Sequence, residues 1–129
     1  MDKLDIVTDE SGNEVVLLPE IIFSNKQNIN WNDVEDYLGK YVGELIEIAE
    51  TRDIIYIGNK FPDEYGGSSY TRKTKGARAK AKANAAQGIR EMVEIATDKV
   101  YRENHKEKHS EDAHNGWFYY VTRFAIPLY

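Results

Sequence analysis

A change of hydrophobic period along the chain limits the folds open to it more than any other feature. Trp31, Val34, Leu38, Tyr41, Val42, Leu45 and Ile48 recur at three- and four-residue steps, which places them on one stripe of a helix. Asn30 is a good N-cap, and Asp33 and Glu35 sit where negative charge favours a helix start. The pattern therefore predicts a helix ending near Ala49 or Glu50. Asp53-Ile54-Ile55-Tyr56-Ile57-Gly58 then reads as a strand, because β-branched and aromatic side chains suit a pleated, half-buried surface. Helical and extended segments mixed in this way predict an α+β domain.

Further elements follow on either side. Leu4, Ile6 and Val7, the turn-forming run Asp9 to Asn13, and Val15 to Leu18 before Pro19 predict a leading β-hairpin within residues 1–23. A lone two-stranded ribbon is marginal in water, so this hairpin is expected as a sheet edge or as an arm on a partner. Phe61 to Tyr70 reads as a loop or an irregular, bulged edge. Ala-rich residues 77–86 have high helix propensity, and a second helix is expected from Lys75 or Gly76 to about Val100. Ala81, Ala85, Ile89, Met92, Val93 and Ala96 form its stripe. Residues 102–116 are hydrophilic and hold all three histidines, and Asn115-Gly116 signals a turn. Trp117 to Ile126 closes the chain as a strand whose large side chains are expected in the core. The 129 residues suit one domain: a small, mainly antiparallel sheet with two main helices and the leading hairpin.

Composition removes several classes of function. No apolar stretch approaches the roughly 18 residues needed to cross a bilayer, so no membrane partner is expected. The first residues lack the basic and apolar regions of a signal peptide. The chain has no cysteine, which excludes disulfides, zinc–cysteine sites, iron–sulfur clusters and thiol catalysis. A cytoplasmic protein without cofactor or metal is the expectation.

The net charge of −5 conceals a segregation of sign. Residues 1–65 carry 5 Lys+Arg against 15 Asp+Glu, and residues 66–129 carry 12 against 7. Arg72, Lys73, Lys75, Arg78, Lys80 and Lys82 fall within eleven residues that contain no acid. Lys75, Arg78 and Lys82 share one face of a helix, whereas Arg72 and Lys73 precede it. Gly66, Gly67, Ser68 and Ser69 lie nearby, and free N–H groups at a helix start attract phosphate. Cations in a first turn oppose the helix dipole by a few tenths of a kcal/mol, roughly, unless an anion compensates. Phosphate or nucleic-acid contact stands against a plain solvated face, and against contact with an acidic partner protein or a second copy of the chain.

His105 and His109 are four residues apart and His114 is five further on. The first pair has the helical spacing of metal ligands, but Lys106 and Lys108 disfavour a metal. A histidine of near-neutral pKa also suits acid–base cleavage of RNA, while a polar loop, with His as one hydrophilic residue among many, is the plainer account of all three. Arg123, amid aromatic strand residues, suits either a clamp on a phosphate or a pair with Glu64 or Asp63. Trp117, Phe118, Tyr119, Tyr120, Phe124 and Tyr129 suit base stacking or core packing.

Several short runs carry a family resemblance. They are Trp31 to Leu38, Val42-Gly43, the Glu50-Thr51-x-Asp53-x-Ile55 strand entry, Glu64-Tyr65-x-x-Ser68, Lys82-Ala83-Asn84-Ala85, and Gly116-Trp117-Phe118-Tyr119-Tyr120-x-x-Arg123-Phe124. Together, over residues 30–126, they resemble the large polyvalent protein-associated domains of phages and conjugative elements. They are also similar to the barnase–EndoU–colicin–RelE nuclease superfamily. The resemblance implies an accessory domain of a mobile genetic element. Its phosphate or nucleic-acid surface would be Arg72, Lys73, Lys75, Arg78 and Lys82, meeting RNA, DNA or a partner protein. If it is an enzyme, the resemblance implies a metal-independent ribonuclease. His109 or His114 would then move the proton, Arg123 with Arg78 would hold the phosphorane charge, and Glu64 would complete the set. The third alternative is a non-catalytic protein-interaction or immunity-like module.

Overall fold

The structure, a computed structural model, describes residues 3–24, 29–103 and 116–127. Helix α1 (Trp31–Leu38) starts where its cap predicts, with the Asn30 side-chain oxygen accepting the Asn32 N–H at 3.1 Å. It stops well short of Ala49. Gly39–Tyr41 make a single 3-10 turn, and Gly43 takes a φ of +93°, a left-handed conformation that costs glycine no Cβ clash. Leu45–Glu47 is then strand β3, antiparallel to β4 (Ile54–Tyr56), with Ile46 opposite Ile55. The spacing that suggested one helical stripe also contains an alternation: Ile46 and Ile48 are buried, while Leu45 and Glu47 face out. Strand pairing wins because a longer helix would have left β4 without a ladder for its backbone.

The expected loop over 61–70 contains two short helices. In α2 (Phe61–Gly66), Pro62 occupies the first turn, where its missing N–H costs nothing. Helix α3 (Ser69–Lys73) is capped by Ser68, whose Oγ accepts the Thr71 N–H at 3.1 Å. The second main helix is also shorter than its composition suggested. It runs as α4 (Gly76–Ala85), a 3-10 turn over Ala86–Gly88, and α5 (Ile89–Glu94). At Gly88 a Cβ would lie 3.1 Å from Leu18 and 3.3 Å from Val16, so a side chain there would press on the neighbouring strand. Thr97 to Val100, expected as the end of that helix, instead open strand β5 (Thr97–Glu103), whose backbone pairs with β6 (Gly116–Val121).

Three small sheets surround this helical layer. Strands β1 (Ile6–Thr8) and β2 (Glu14–Leu17) form the leading hairpin, and β2 pairs in parallel with β7 (Phe124–Ala125). The other two sheets are the antiparallel pairs β3–β4 and β5–β6. The leading hairpin packs into its own domain: Val16 and Leu18 are buried beside Trp31, Val34, Leu38, Tyr41, Ile46 and Ile89. The closing segment splits at Thr122-Arg123 into β6 and β7; Phe124 packs against the core as expected, but the first three aromatics overturn that expectation. Trp117 is 38%, Phe118 58% and Tyr119 51% exposed. They alternate across a two-stranded ribbon, and the core space is already filled by α1, β2, β3 and the alanine face of α4.

Asn84 holds these layers in register. Fully buried on α4, it accepts the N–H groups of Ile22 and Phe23 at 2.8 and 3.0 Å. Its amide donates to the carbonyls of Phe23 and Lys80 at 2.9 and 2.8 Å. All its hydrogen-bonding capacity is thus met in the interior, which fixes where the segment after β2 crosses α4.

Candidate functional site

The six clustered cations divide into two groups. Arg72, at the end of α3, turns toward α1, ion-pairs with Glu35 and donates to Asn32 Oδ1 at 3.2 Å. Lys82 donates to buried Thr71 Oγ1 at 2.7 Å and stands 5.1 Å from the centre of the Tyr65 ring. These two side chains fasten helices to one another. Lys73, Lys75 and Arg78 stay together, and with Thr74 they line a surface depression where α4 begins. Among the described residues no carboxylate forms an ion pair with Lys73 or Lys75.

Local backbone geometry sharpens the positive character there. Lys75, in the cap position, is extended and supplies no side-chain oxygen to the first turn. Gly76 has a φ of +70°, and no acid lies in that turn. The helix start therefore presents N–H groups without a side-chain cap, beside ammonium and guanidinium groups that add to the dipole field.

The residues named for catalysis are not assembled by anything described. His105, His109 and His114 lie outside the described residues. Glu64 is an exposed residue of α2 that lines an apolar groove. Half-buried Arg123 lies between β6 and β7, where its carbonyl accepts the Val16 N–H at 3.0 Å. Neither Asp63 nor Glu64 forms an ion pair with Arg123 among the described residues. No group of three or more His, Asp or Glu side chains is placed to hold a metal ion among them either. No helix described is long and apolar enough to cross a membrane.

Sequence reasoning missed a polar junction at the foot of the β5–β6 ribbon. Asp53 Oδ2 accepts from Lys99 Nζ at 2.8 Å and from the Tyr120 hydroxyl at 2.6 Å. The Lys99 hydrogen bond, then those of Tyr120 and Thr51, pull the Asp53 pKa down to about 2. Lys99 is shifted up by the same bond, and Tyr120 is shifted up by burial and then by its bond to Asp53. Lys99 also lies 4.3 Å from the centre of the Phe118 ring. Asp53 was visible in sequence only as the start of a strand, because its partners lie far along the chain.

Beside this junction a groove of about 560 Å³ runs between β4, α2, the α4–α5 layer and β6–β7. Ile55, Ile57, Phe61, Ile89, Met92 and Phe124 supply much of its apolar wall. The Tyr65 hydroxyl closes one side by donating to the Lys82 carbonyl, and burial shifts its pKa upward. Comparison of the chain with protein-family models, curated proteins and solved structures finds no match.

Proposed function

We propose that this chain is a non-catalytic binding domain that contacts nucleic-acid phosphate through the start of α4. One observation carries the proposal: Lys73, Lys75 and Arg78 line a single depression at an uncapped helix start. A cation there opposes the helix dipole, and a bound phosphate relieves that repulsion at a helix start that no side chain caps. An accessory role on a mobile genetic element, which rests on the sequence resemblance alone, and a cytoplasmic setting are part of the same proposal. Arg72 and Lys82 keep the surrounding helices in place, and Lys73 and Lys75 make the contact.

A salt titration with labelled RNA and DNA oligonucleotides tests this. Affinity should fall steeply with salt, and Lys73→Gln with Lys75→Gln should lower the log–log slope by about 1 for each phosphate that is no longer neutralised. Binding indifferent to salt, or unchanged in the double variant, overturns the proposal. RNA cleavage in EDTA during the same experiment would replace it with the metal-independent ribonuclease. A second reading, a protein-interaction module, is favoured by a separate observation: the exposed Trp117, Phe118 and Tyr119 on the β5–β6 ribbon.

A further inference from the structure

We propose that the groove between β4 and β6 receives an extended apolar peptide from another protein, which adds as a strand to the open edge of β4. Among the described residues strand β4 pairs with β3 alone, in a two-stranded sheet. Ile48 donates to the Asp53 carbonyl and Ile57 donates to the Glu44 carbonyl, both across to the β3 side. Antiparallel ladders alternate, so the N–H and C=O groups of Ile54 and Tyr56, between those positions, point away from β3. That edge is a template for one more strand. Strand β6 stands on the other side of the groove without a ladder to β4. Asp53, Lys99 and Tyr120 bridge the two at one end. The result is a slot between two separate two-stranded sheets, lined also by Ile89, Met92 and Val93.

The slot also defines its occupant. Its volume of about 560 Å³ and its aliphatic and aromatic walls suit alternate side chains of a strand that contributes backbone to β4. Among the described residues Glu64 is the one charged side chain lining it, and no ion pair engages it. A Lys or Arg near one end of the peptide complements that carboxylate. Residues 104–115 of this chain are no candidate, since Ala113 is their only apolar side chain.

The test uses soluble probes: an acetylated, amidated Lys-Val-Thr-Val-Thr-Val peptide, the same peptide with alternate backbone nitrogens methylated, and a version with Glu in place of Lys. Binding to the full chain is read by NMR shifts and by amide exchange at Ile54 and Tyr56. The unmethylated Lys peptide should bind, slow exchange at those two amides, and exceed both other peptides by about tenfold. Tyr56→Pro removes an edge donor without touching the β3 ladder and should weaken binding similarly. Glu64→Lys, on an exposed residue, should invert the Lys-over-Glu preference and keeps the test decisive should Tyr56→Pro not fold. Equal binding of the methylated peptide, no change at Ile54 and Tyr56, or no binding at millimolar peptide each overturns the proposal. A dimer in solution that Tyr56→Pro dissolves overturns it as well, by assigning the edge to a second copy. The oligonucleotide titration above does not depend on any of these outcomes.

Discussion

The leading ribbon, β1–β2, and the closing ribbon, β5–β6, are both antiparallel pairs of strands rich in large apolar residues, yet they occupy opposite environments. In the first, β2 gains a third strand, β7, and turns Val16 and Leu18 into the core. In the second, neither strand gains another neighbour among the described residues, and Val100, Tyr101, Trp117, Phe118, Tyr119 and Val121 stay exposed. Hydrophobicity does not separate them; the availability of an opposing layer does. A strand pair is buried when helices and a further strand close over one face, as α1, α4 and α5 do over β2. The closing ribbon is held by a polar junction at its foot and by ring contacts along it, such as Tyr101 on Phe118 with centroids 5.4 Å apart.

This contrast is open to direct attack. The largest effect is expected from Asn84→Leu, which leaves the backbone groups of Ile22 and Phe23 without their partner beside the leading ribbon. A loss of about 3 kcal/mol in urea unfolding is expected, with Asn84→Asp losing less because an oxygen still accepts both N–H groups. Next comes Val16→Ala, which opens space in a fully buried position and should cost about 2 kcal/mol in the same assay.

The closing ribbon should respond to acid instead. The depressed Asp53 pKa means that the junction's contribution is complete above the unfolded carboxylate range and is lost as pH falls from about 4 toward about 2. Amide exchange in β5 and β6 should accelerate over that window while β2 stays protected, and Asp53→Asn should abolish the difference in pH response. At the high end the shift of Lys99 acts in the opposite sense: its contribution is present below the unfolded lysine pKa and is lost as pH rises through the raised value. The smallest effect is expected from Phe118→Ser. Stability should change by no more than about 0.5 kcal/mol, and any self-association seen by sedimentation should decrease. A loss comparable to that of Val16→Ala would show that the ribbon is buried in solution and would remove the contrast.

Several features were readable from residues alone because their causes are local. Asn30 caps α1 by accepting an N–H two residues away, and Asp9 to Asn13 turns the leading hairpin, with Asp9 Oδ1 accepting the Ser11 and Asn13 N–H groups at 2.9 Å. The break between α1 and β3 was harder to read. The stripe from Trp31 to Ile48 fits both a helix and a helix followed by a strand, and only pairing with β4 separates them. The same ambiguity hid β5 behind an alanine-rich helix. For the candidate site, the clustering of cations was plain in sequence, but their division was not. Arg72 is claimed by Glu35, 37 residues away, and Lys82 by Thr71, 11 residues away, whereas Lys73 and Lys75 turn to the α4 start.

Caps, turns, the α+β class and the charge segregation were therefore determined by the sequence itself, since each depends on neighbours a few positions apart or on counts. Which ribbon is buried, which cations face outward and where Asp53 finds its partners were decided by tertiary structure. Those outcomes depend on which distant surfaces meet: burial needs an opposing layer, and a charge is free or paired according to what the fold brings beside it.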